Sequence, residues 1–494
     1  MLILSRDAIG APFFYPATIS LLLITRMKNI SNQPIYDART LGKGRMLVLG
    51  FQHMFAMFGA TVLVPIITGL SVSATLLFAG IGTLIFHFIT KLKVPAFLGS
   101  SFAFLGGYAA VKEIGAGLGY TVPQALTYAC IGVACAGLMY FVLAAFVKLF
   151  GVRKVMRFFP PVVTGPIIIA IGLTLSGSAI NNCQSNWLIA LLAIVIIIVC
   201  NIWGKGMVKI IPIILGVIGS YAVAACCGLV DFSLVRDAAW FGIPVQMENT
   251  AFAVFQDPNW SFIWTAIIAI IPISIATMIE HIGDICAISS TCDRNYIADP
   301  GLNRTLMGDG LATTLASLFG APANTTYGEN TGVLNLTKVY DPRVVRIAAV
   351  LAIIFSFCPK FAALIYAMPA ATVGGVSLVL YGMISAVGVR NLVENQVNFK
   401  NNRNVLIAAL IMVLAIGVQY GTTGGIQIGK ISLSGLAVAA LVGVILNAVL
   451  PGNDFKMTFD YVSGKETDAP ALQQEYRVYQ HGNDKNQKEE TENK

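Results

Sequence analysis

Long apolar runs, separated by short polar connections, recur along the chain from Met46 to about Leu450. A bilayer core about 30 Å thick needs roughly 20 apolar residues per helix, and fewer where a helix is broken. The pattern therefore predicts fourteen membrane segments. Seven lie in the first half, at 46–68, 71–90, 94–111, 123–147, 160–178, 186–203 and 209–230. Seven follow at 261–288, 302–320, 322–337, 343–359, 362–386, 403–420 and 429–450.

The composition agrees with an all-α polytopic membrane protein. Hydrophobic residues make up 56% of the 494 residues and charged residues only 11%, whereas soluble domains are about one quarter charged. These values exclude a soluble enzyme, a nucleic-acid-binding protein and a single-span receptor. The nine cysteines lie mostly within apolar runs, and their spacing indicates neither a disulfide framework nor a metal site.

The basic residues predict the orientation. With fourteen segments and both termini cytoplasmic, nineteen Lys and Arg residues near the segment ends fall inside and four fall outside (Lys112, Arg236, Lys360 and Lys430). This asymmetry is what the positive-inside rule predicts. The basic residues behind the net charge of +8 therefore indicate how the chain is oriented in the membrane, and the charge is not by itself a sign of a binding partner.

The two ends are predicted to be cytoplasmic extensions, residues 1–45 and 452–494. The apolar stretch 11–25 is short and contains two prolines, so it is either an interfacial segment or a weak signal-like stretch. A start at Met27 is the alternative to a start at Met1. The polar C-terminal tail has the composition of a disordered segment.

Two dipeptides recur at nearly one spacing, which predicts an internal duplication. A Gln/Glu-His pair and a Pro-Ala pair repeat 228 and 227 positions apart (Gln52-His53 with Glu280-His281, and Pro95-Ala96 with Pro322-Ala323). A repeat of seven segments would place the second copy upside down relative to the first. Inverted repeats with a broken segment at matching positions, here the third and tenth, are typical of secondary transporters.

Four acidic residues lie deep within predicted segments: Glu280, Asp284, Asp309 and Glu329. Acidic groups at this depth cost a few kcal/mol each and usually face a cavity or a partner. Glu280 and Asp284 are four residues apart on one helix face, which favours a shared proton. The alternative is that such groups only hydrogen-bond neighbouring helices, but four of them on crossing segments favour a functional cavity.

The tenth segment is too polar for a lipid-facing helix between Asn324 and Gly332, and 97–102 is its apolar counterpart in the third. Broken backbone at membrane depth is tolerated where it lines a cavity or is buried in protein. Two half-helix N-termini would offer N–H donors to a small polar ligand, with Phe102 and Tyr327 as a stacking wall. Core packing is the alternative for Phe102, and contact with a neighbouring helix is the alternative for His53.

No motif of an ATP-driven pump or a membrane enzyme is present, such as a Walker A loop, HExxH or a nucleophile elbow. A channel would need a continuous polar pore, whereas the polar residues here cluster at one depth. No catalytic residue, metal or cofactor is predicted.

The stretch Glu329–Lys338 resembles the signature (Q/E/P)-N-x-G-x-x-x-x-T-(R/K/G) of the nucleobase–ascorbate transporter family. Gln52-His53, Glu280 and the stretches PAFLGSSFAF, TTYGEN and GGVSLVLYG are also similar to that family, and the resemblance covers roughly residues 35–450. Within the family the chain is most similar to bacterial carriers of uracil.

The resemblance implies two inverted seven-segment repeats with short extended stretches in segments 3 and 10, and a homodimer in the inner membrane. A core domain would comprise 46–155 (segments 1–4) and 261–360 (segments 8–11). A gate domain would comprise 156–260 (segments 5–7 and an external loop) and 361–451 (segments 12–14).

The resemblance also implies residue roles. Glu280 and Glu329 would hydrogen-bond the substrate, next to Tyr327, Gly328, Phe102 and Ala60. Asp284, Glu280 and Asp309 would serve proton coupling, and Gln52, His53, Asn330 and Thr337 would support the site.

The expected function is proton-coupled uracil uptake by alternating access. The alternative is a xanthine or urate symporter, because the uracil-carrier pattern has His in place of Asp284 and Asn in place of Asp309. Acidic residues at these two positions also occur in xanthine and urate carriers.

Overall fold

The computed structural model describes residues 34–421, 425–428 and 431–452, and the fold is mostly helical. The expectations for 11–25, for a start at Met27 and for the tail concern residues outside these ranges. Ten helices precede residue 240: α1 Lys43–Thr68, α2 Val72–Ile89, α3 Leu105–Gly117, α4 Val122–Phe150, α5 Val152–Met156, α6 Pro161–Cys183, α7 Trp187–Ile202, α8 Met207–Ile210, α9 Pro212–Cys226 and α10 Ser233–Asp237.

Nine helices follow among the described residues: α11 Trp260–Ile270, α12 Ile273–Cys292, α13 Leu302–Leu318, α14 Gly328–Thr337, α15 Pro342–Ser356, α16 Pro359–Tyr366, α17 Ala370–Glu394, α18 Asn402–Gly421 and α19 Gly435–Val449. All of these are α-helices. Three 3₁₀ helices (Ala38–Leu41, Met247–Asn249 and Ala251–Gln256), a π-helical turn (Ile297–Gly301) and four short strands complete the regular structure of the described residues. The strands are β1 Leu98–Ser100, β2 Asn324–Thr326, β3 Gly425–Ile428 and β4 Ile431–Ser434. Each strand pairs with one other, β1 with β2 and β3 with β4, both antiparallel.

Seven helices of the described part are long and apolar enough to cross a membrane. An eighth span is added if α15 and α16, which meet at an angle of 87°, form one. The protein is therefore a multi-pass membrane protein, as its composition predicts. The seven are α1, α2, α4, α6, the run from α11 to α12, α17 and α18.

Two predicted segment boundaries are wrong. Helix α17 begins at Ala370, directly after Pro369, and not at 362. The predicted segment 429–450 includes β4, the second strand of the β3–β4 hairpin, so helix α19 starts only at Gly435. The predicted segment 261–288 lies within one candidate span, Trp260–Cys292, and Pro272, which has no N–H for a helical hydrogen bond, divides that span into α11 and α12.

The third and tenth predicted segments meet through their strands. The pairing joins Leu98 with Thr326, Gly99 with Thr325 and Ser100 with Asn324. On either side, Ser101 donates its N–H to the Ala323 carbonyl at 2.8 Å and Tyr327 donates to Phe97 at 3.0 Å. Backbone groups without water need such partners, because each unpaired group costs several kcal/mol in an apolar interior.

The helices pack in two groups. In the first, α13 packs against α2 and α4, α15 against α1 and α2, and α11 against α4. In the second, α17 packs against α6 and α7, α18 against α6 and α19, and α7 against α9. Helix α12 contacts both groups, because it packs on α4, α13 and α14 and also on α6 and α19.

Helices α4 and α13 cross at two glycines, which lets their backbones approach closely. A Cβ atom on Gly310 would lie 2.5 Å from Tyr140 Cβ and 2.7 Å from the Gly137 carbonyl oxygen. A Cβ atom on Gly137 would in turn lie 2.9 Å from the Gly310 carbonyl oxygen. Close glycine crossings of this kind are common between membrane helices. The crossing fixes the position of Asp309, the residue before Gly310.

We expect Gly310→Ala to lower the thermal unfolding temperature of the detergent-purified protein, because the added methyl group must push two helix backbones apart. Overpacking of this kind costs about 1–3 kcal/mol. Gly44→Ala is the control, since Gly44 is exposed in the first turn of α1 and a Cβ there meets nothing within 4 Å. Equal unfolding temperatures for Gly310→Ala and the unsubstituted protein would contradict the close crossing.

Candidate functional site

The four carboxylates predicted at membrane depth come together around α12. Glu280 and Asp284 lie one turn apart on α12, Asp309 on α13 and Glu329 in the first turn of α14. Glu280 is close enough to each of the other three for a direct charge–charge interaction. Asp309 is fully buried and the other three are half-buried. The cluster thus joins a fully buried acid to three that keep some exposed surface, and Glu280 Oε2 is itself buried without a hydrogen-bond partner among the described residues.

Strand β2 places a polar side chain in contact with this cluster. The Thr326 hydroxyl donates to Asp284 Oδ2 at 2.7 Å. The next residue, Tyr327, is buried at the start of α14, and its hydroxyl donates to the Ser100 carbonyl of β1 at 2.9 Å. Gly328 then opens α14, is exposed, and has no heavy atom within 4 Å of where a Cβ would lie. The N-terminus of α14 therefore has unobstructed space in front of it.

Helix α1 packs directly against the strand pair. Ser100 donates its hydroxyl to the Thr61 carbonyl at 2.9 Å, and Ala60, the preceding residue, is fully buried. Gly99 has no room for a side chain, because a Cβ would lie 2.5 Å from the Tyr327 ring and 2.7 Å from Thr61 Oγ1. Glycine at this position allows β1, α1 and the Tyr327 ring to meet.

Phe102 lies just beyond β1, where the two helix groups face each other. It is buried and packs edge-on against the Tyr381 ring of α17, with ring centroids 5.7 Å apart at 78°. It also borders a cavity of about 30 Å³ lined by Thr174, Gln419 and Ser434 among others. Phe102 therefore contacts the second helix group and is not confined to the interior of the first.

His53 and Asn330 join α1 to α14. The Asn330 amide donates to the His53 carbonyl at 3.0 Å and lies 3.1 Å from His53 Nδ1. Both residues are fully buried or nearly so. This contact fits the alternative in which His53 is held by a neighbouring helix, and it fixes the helix that carries Glu329.

Two predicted supporting residues point elsewhere. Gln52 donates its amide to Met207 Sδ of α8 at 2.6 Å. Thr337 lies at the opposite end of α14 from Glu329 and donates to the Val333 carbonyl of its own helix at 2.8 Å. Gln52 thus contacts a neighbouring element, and Thr337 satisfies a helix-end carbonyl.

Sequence reasoning missed three residues of this region. His281 is fully buried, and its Nδ1 lies 3.0 Å from Asp309 Oδ2; its position directly after Glu280 was the available signal. Thr326 and Tyr381 lie within the stretches that are similar to the family, but neither was predicted to be a site residue. Within the described ranges, no group of three or more His, Cys, Asp and Glu residues has the arrangement of a metal site.

Two paired extended stretches beside a cluster of carboxylates, in a chain with several apolar helices, are typical of a secondary transporter. The model of a permease family, that of the xanthine and uracil permeases, matches residues 44–424. The chain therefore belongs to the nucleobase–ascorbate transporter family. It is a transporter and not an enzyme, since its family and its relatives are permeases.

The chain is similar in sequence to several permeases over most of their length. The uracil permease of Bacillus caldolyticus is 41% identical over 85% of this chain and 96% of its own. That of Bacillus subtilis (strain 168) is 41% identical over 81% and 91%. The putative pyrimidine permease RutG of Escherichia coli (strain K12) is 38% identical over 82% and 89%.

Solved structures of similar fold are more distant in sequence. The transmembrane domain of the cyanobacterial bicarbonate transporter BicA aligns with a TM-score of 0.55 at 16% identity, covering 84% of this chain and 99% of that domain. The murine Solute Carrier 26 family member A9 anion transporter aligns with a TM-score of 0.57 at 10% identity, covering 91% and 76%. The chain shares its fold with these transporters.

We expect Asn330→Asp to lower the thermal unfolding temperature in detergent, because a carboxylate would replace an amide donor opposite the His53 carbonyl oxygen. Losing a buried hydrogen-bond donor costs about 1–3 kcal/mol. Asn335→Asp is the matched control, since Asn335 is exposed on the same helix. An Asn330→Asp protein as stable as the Asn335→Asp protein would show that this contact does not hold α14.

Proposed function

We propose that this protein is a proton-coupled uracil symporter that imports uracil across the cytoplasmic membrane by alternating access. The observation that carries the proposal is the pair Glu280 and Glu329 beside the open N-terminus of α14. The 41% identity to two uracil permeases over most of their length supports the same substrate.

Uracil presents N–H donors and carbonyl acceptors in one plane, and the site offers complementary groups. The carboxylates of Glu280 and Glu329 accept hydrogen bonds from the N–H groups. Backbone N–H groups at Gly328 and Glu329, at the positive end of the α14 dipole, donate to a carbonyl oxygen. Phe102 packs on the ring and Ala60 lies alongside. A site built on such pairs rejects analogues that lack the N–H donors, since its own polar groups would be left unpaired.

The second candidate is a xanthine or urate symporter with the same mechanism. The specific observation in its favour is the acidic pair Asp284 and Asp309, at positions where the uracil-carrier pattern has His and Asn. Uracil is preferred because the uracil and pyrimidine permeases described above are 38–41% identical to this chain over at least 81% of it.

We further propose fourteen membrane segments in two inverted repeats of seven. Helix packing supports this arrangement, because contacts recur between equivalent segments of the two halves. The contact of α4 with α13 has its counterpart in that of α15 with α2, and the contact of α11 with α4 in that of α1 with α15. The pairs α7–α9 and α18–α19 correspond in the same way.

The two packed groups support a division into a core domain (46–155 and 261–360) and a gate domain (156–260 and 361–451). In alternating access the core carries the substrate past the gate, and Phe102 against Tyr381 marks where they touch. A homodimer with both termini of each chain in the cytoplasm completes the proposal. Symport with one proton draws on the membrane potential, about 2.3 kcal/mol per charge per 100 mV.

Glu280→Gln and Glu329→Gln are each expected to abolish uptake of labelled uracil and its binding to the purified protein, because an amide offers its N–H₂ where the substrate N–H needs an acceptor. A lost charged hydrogen bond costs about 1.5–3 kcal/mol, roughly a tenfold to 150-fold loss of affinity. Glu113→Gln, which changes an exposed carboxylate on α3, serves as the control. Wild-type uptake by either site variant would remove that carboxylate from the site.

An uncoupler is expected to abolish accumulation of labelled uracil in cells that produce the protein, because it collapses the proton gradient. Unlabelled uracil is expected to compete more strongly than xanthine. Accumulation that survives the uncoupler would contradict symport, and stronger competition by xanthine would transfer the proposal to the second candidate.

A further inference from the structure

Behind the carboxylates that face open space lies one pair with no exposed surface. His281 on α12 and Asp309 on α13 are both 0% exposed, with Nδ1 and Oδ2 3.0 Å apart. Nδ1 and Oδ2 are within ion-pair distance, but neither they nor Nε2 and Oδ1 make a hydrogen bond among the described residues. An acid and a base thus lie side by side, fully buried, with all four polar atoms free to hold a proton.

The titratable groups around this pair come from four helices. Glu280 and Asp284 lie on the same helix as His281, Glu329 is contributed by α14, and Tyr140 by α4, which packs against α13. Helix α2 contributes the Phe86 ring, edge-on to His281 at 6.2 Å, and next to it His87, which bonds the Ala96 carbonyl. His281 is therefore in ion-pair contact with one of the four carboxylates, Asp309, and directly follows another, Glu280, in the chain.

Four ionised carboxylates in one apolar cluster would repel each other strongly, so at least one proton must stay within it. Glu280 and Glu329 accept hydrogen bonds from the substrate in the proposed function, which favours their ionised form. Asp284 accepts a hydrogen bond from Thr326, which also stabilises its ionised form. The remaining acid is Asp309, and His281 is the base in contact with it.

We propose that the proton transported with the substrate is held between His281 Nδ1 and Asp309 Oδ2. This assignment rests on the proposed function and deepens it. With the proton bound, the pair is neutral overall, as imidazolium with carboxylate. Without the proton it carries one negative charge, beside Glu280, the residue that precedes His281. The proton enters from outside, crosses with the substrate and leaves to the cytoplasm, so no other reactant is consumed.

The geometry also explains how proton binding favours substrate binding. An unprotonated pair places a negative charge next to Glu280 and disfavours the ionised acceptor that the substrate needs. A protonated pair removes that repulsion without contacting the substrate. His281 is therefore a positioning residue, acting on the substrate through Glu280.

The test separates binding from coupling. Full-length wild type, His281→Gln, Asp309→Asn and the control Glu113→Gln are reconstituted in vesicles of phosphatidylethanolamine and phosphatidylglycerol. Three quantities are measured with labelled uracil: binding through protection against thermal unfolding, exchange counterflow at equal pH, and accumulation under an imposed gradient of about 2 pH units. One proton per uracil supports up to about 100-fold accumulation under that gradient.

We expect wild type and Glu113→Gln to accumulate uracil. His281→Gln and Asp309→Asn should bind it within about threefold of wild type and exchange it, but accumulate it no further than equal concentrations on both sides. Accumulation at the wild-type level by either variant overturns the proposal. So does loss of binding in a variant that still unfolds cooperatively, because the residue would then be needed for substrate binding itself and not for its coupling to the proton.

The reversed pair, His281→Asp with Asp309→His, keeps the acid and the base in contact and covers the case in which the single variants do not fold. Recovered accumulation supports the proposal, whereas binding and exchange without accumulation overturn it. Failure of the proposed function looks different, since the wild type itself would then neither bind nor accumulate uracil. If it transports xanthine instead, the same variants are tested with labelled xanthine and the same outcomes decide.

Discussion

The strand pair β1–β2 is the constraint on which the rest of the site depends. Non-helical backbone in an apolar interior needs hydrogen-bond partners outside its own segment. Here the backbone of β1 supplies the partners of β2, and the backbone of β2 supplies those of β1. Thr313 and Asn324 extend this bonding, since the Thr313 hydroxyl donates to the Asn324 carbonyl at 2.7 Å and the Asn324 amide to the Phe78 carbonyl at 2.9 Å. The register of this pair sets where Thr326 meets Asp284 and where α14 begins.

Charge is tolerated around α12 because each group has a specific environment. Asp284 has a hydroxyl donor, Glu329 lies in the first turn of a helix, where the dipole favours negative charge, and Asp309 has a histidine. Four acidic side chains contribute little to the stability of the fold, because apolar side chains of similar size would pack there without any desolvation cost. The arrangement suits groups that exchange a substrate and a proton in turn.

The sequence could predict the class of fold and the acids of the site, since long apolar runs and rare internal carboxylates are visible in the chain itself. It also indicated the broken segments, through their polarity and their Pro-Ala marks. It did not predict that β1 and β2 pair, or that His281 meets Asp309, because both contacts join residues far apart in the chain or on different helices. The family motif assigned Thr337 to the site, whereas its hydroxyl donates to a carbonyl group at the end of its own helix. The β3–β4 hairpin was missed because Ile431 and Leu433 of β4 run directly into the apolar helix that follows.

The pairing of β1 with β2 also bears on how the chain is made. Residues 98–100 leave the ribosome more than two hundred residues before 324–326, their only strand partners in the described structure. Backbone groups that lack a partner are costly in an apolar interior. The two halves of the chain therefore depend on each other, since β1 has no strand partner within the described residues of the first half.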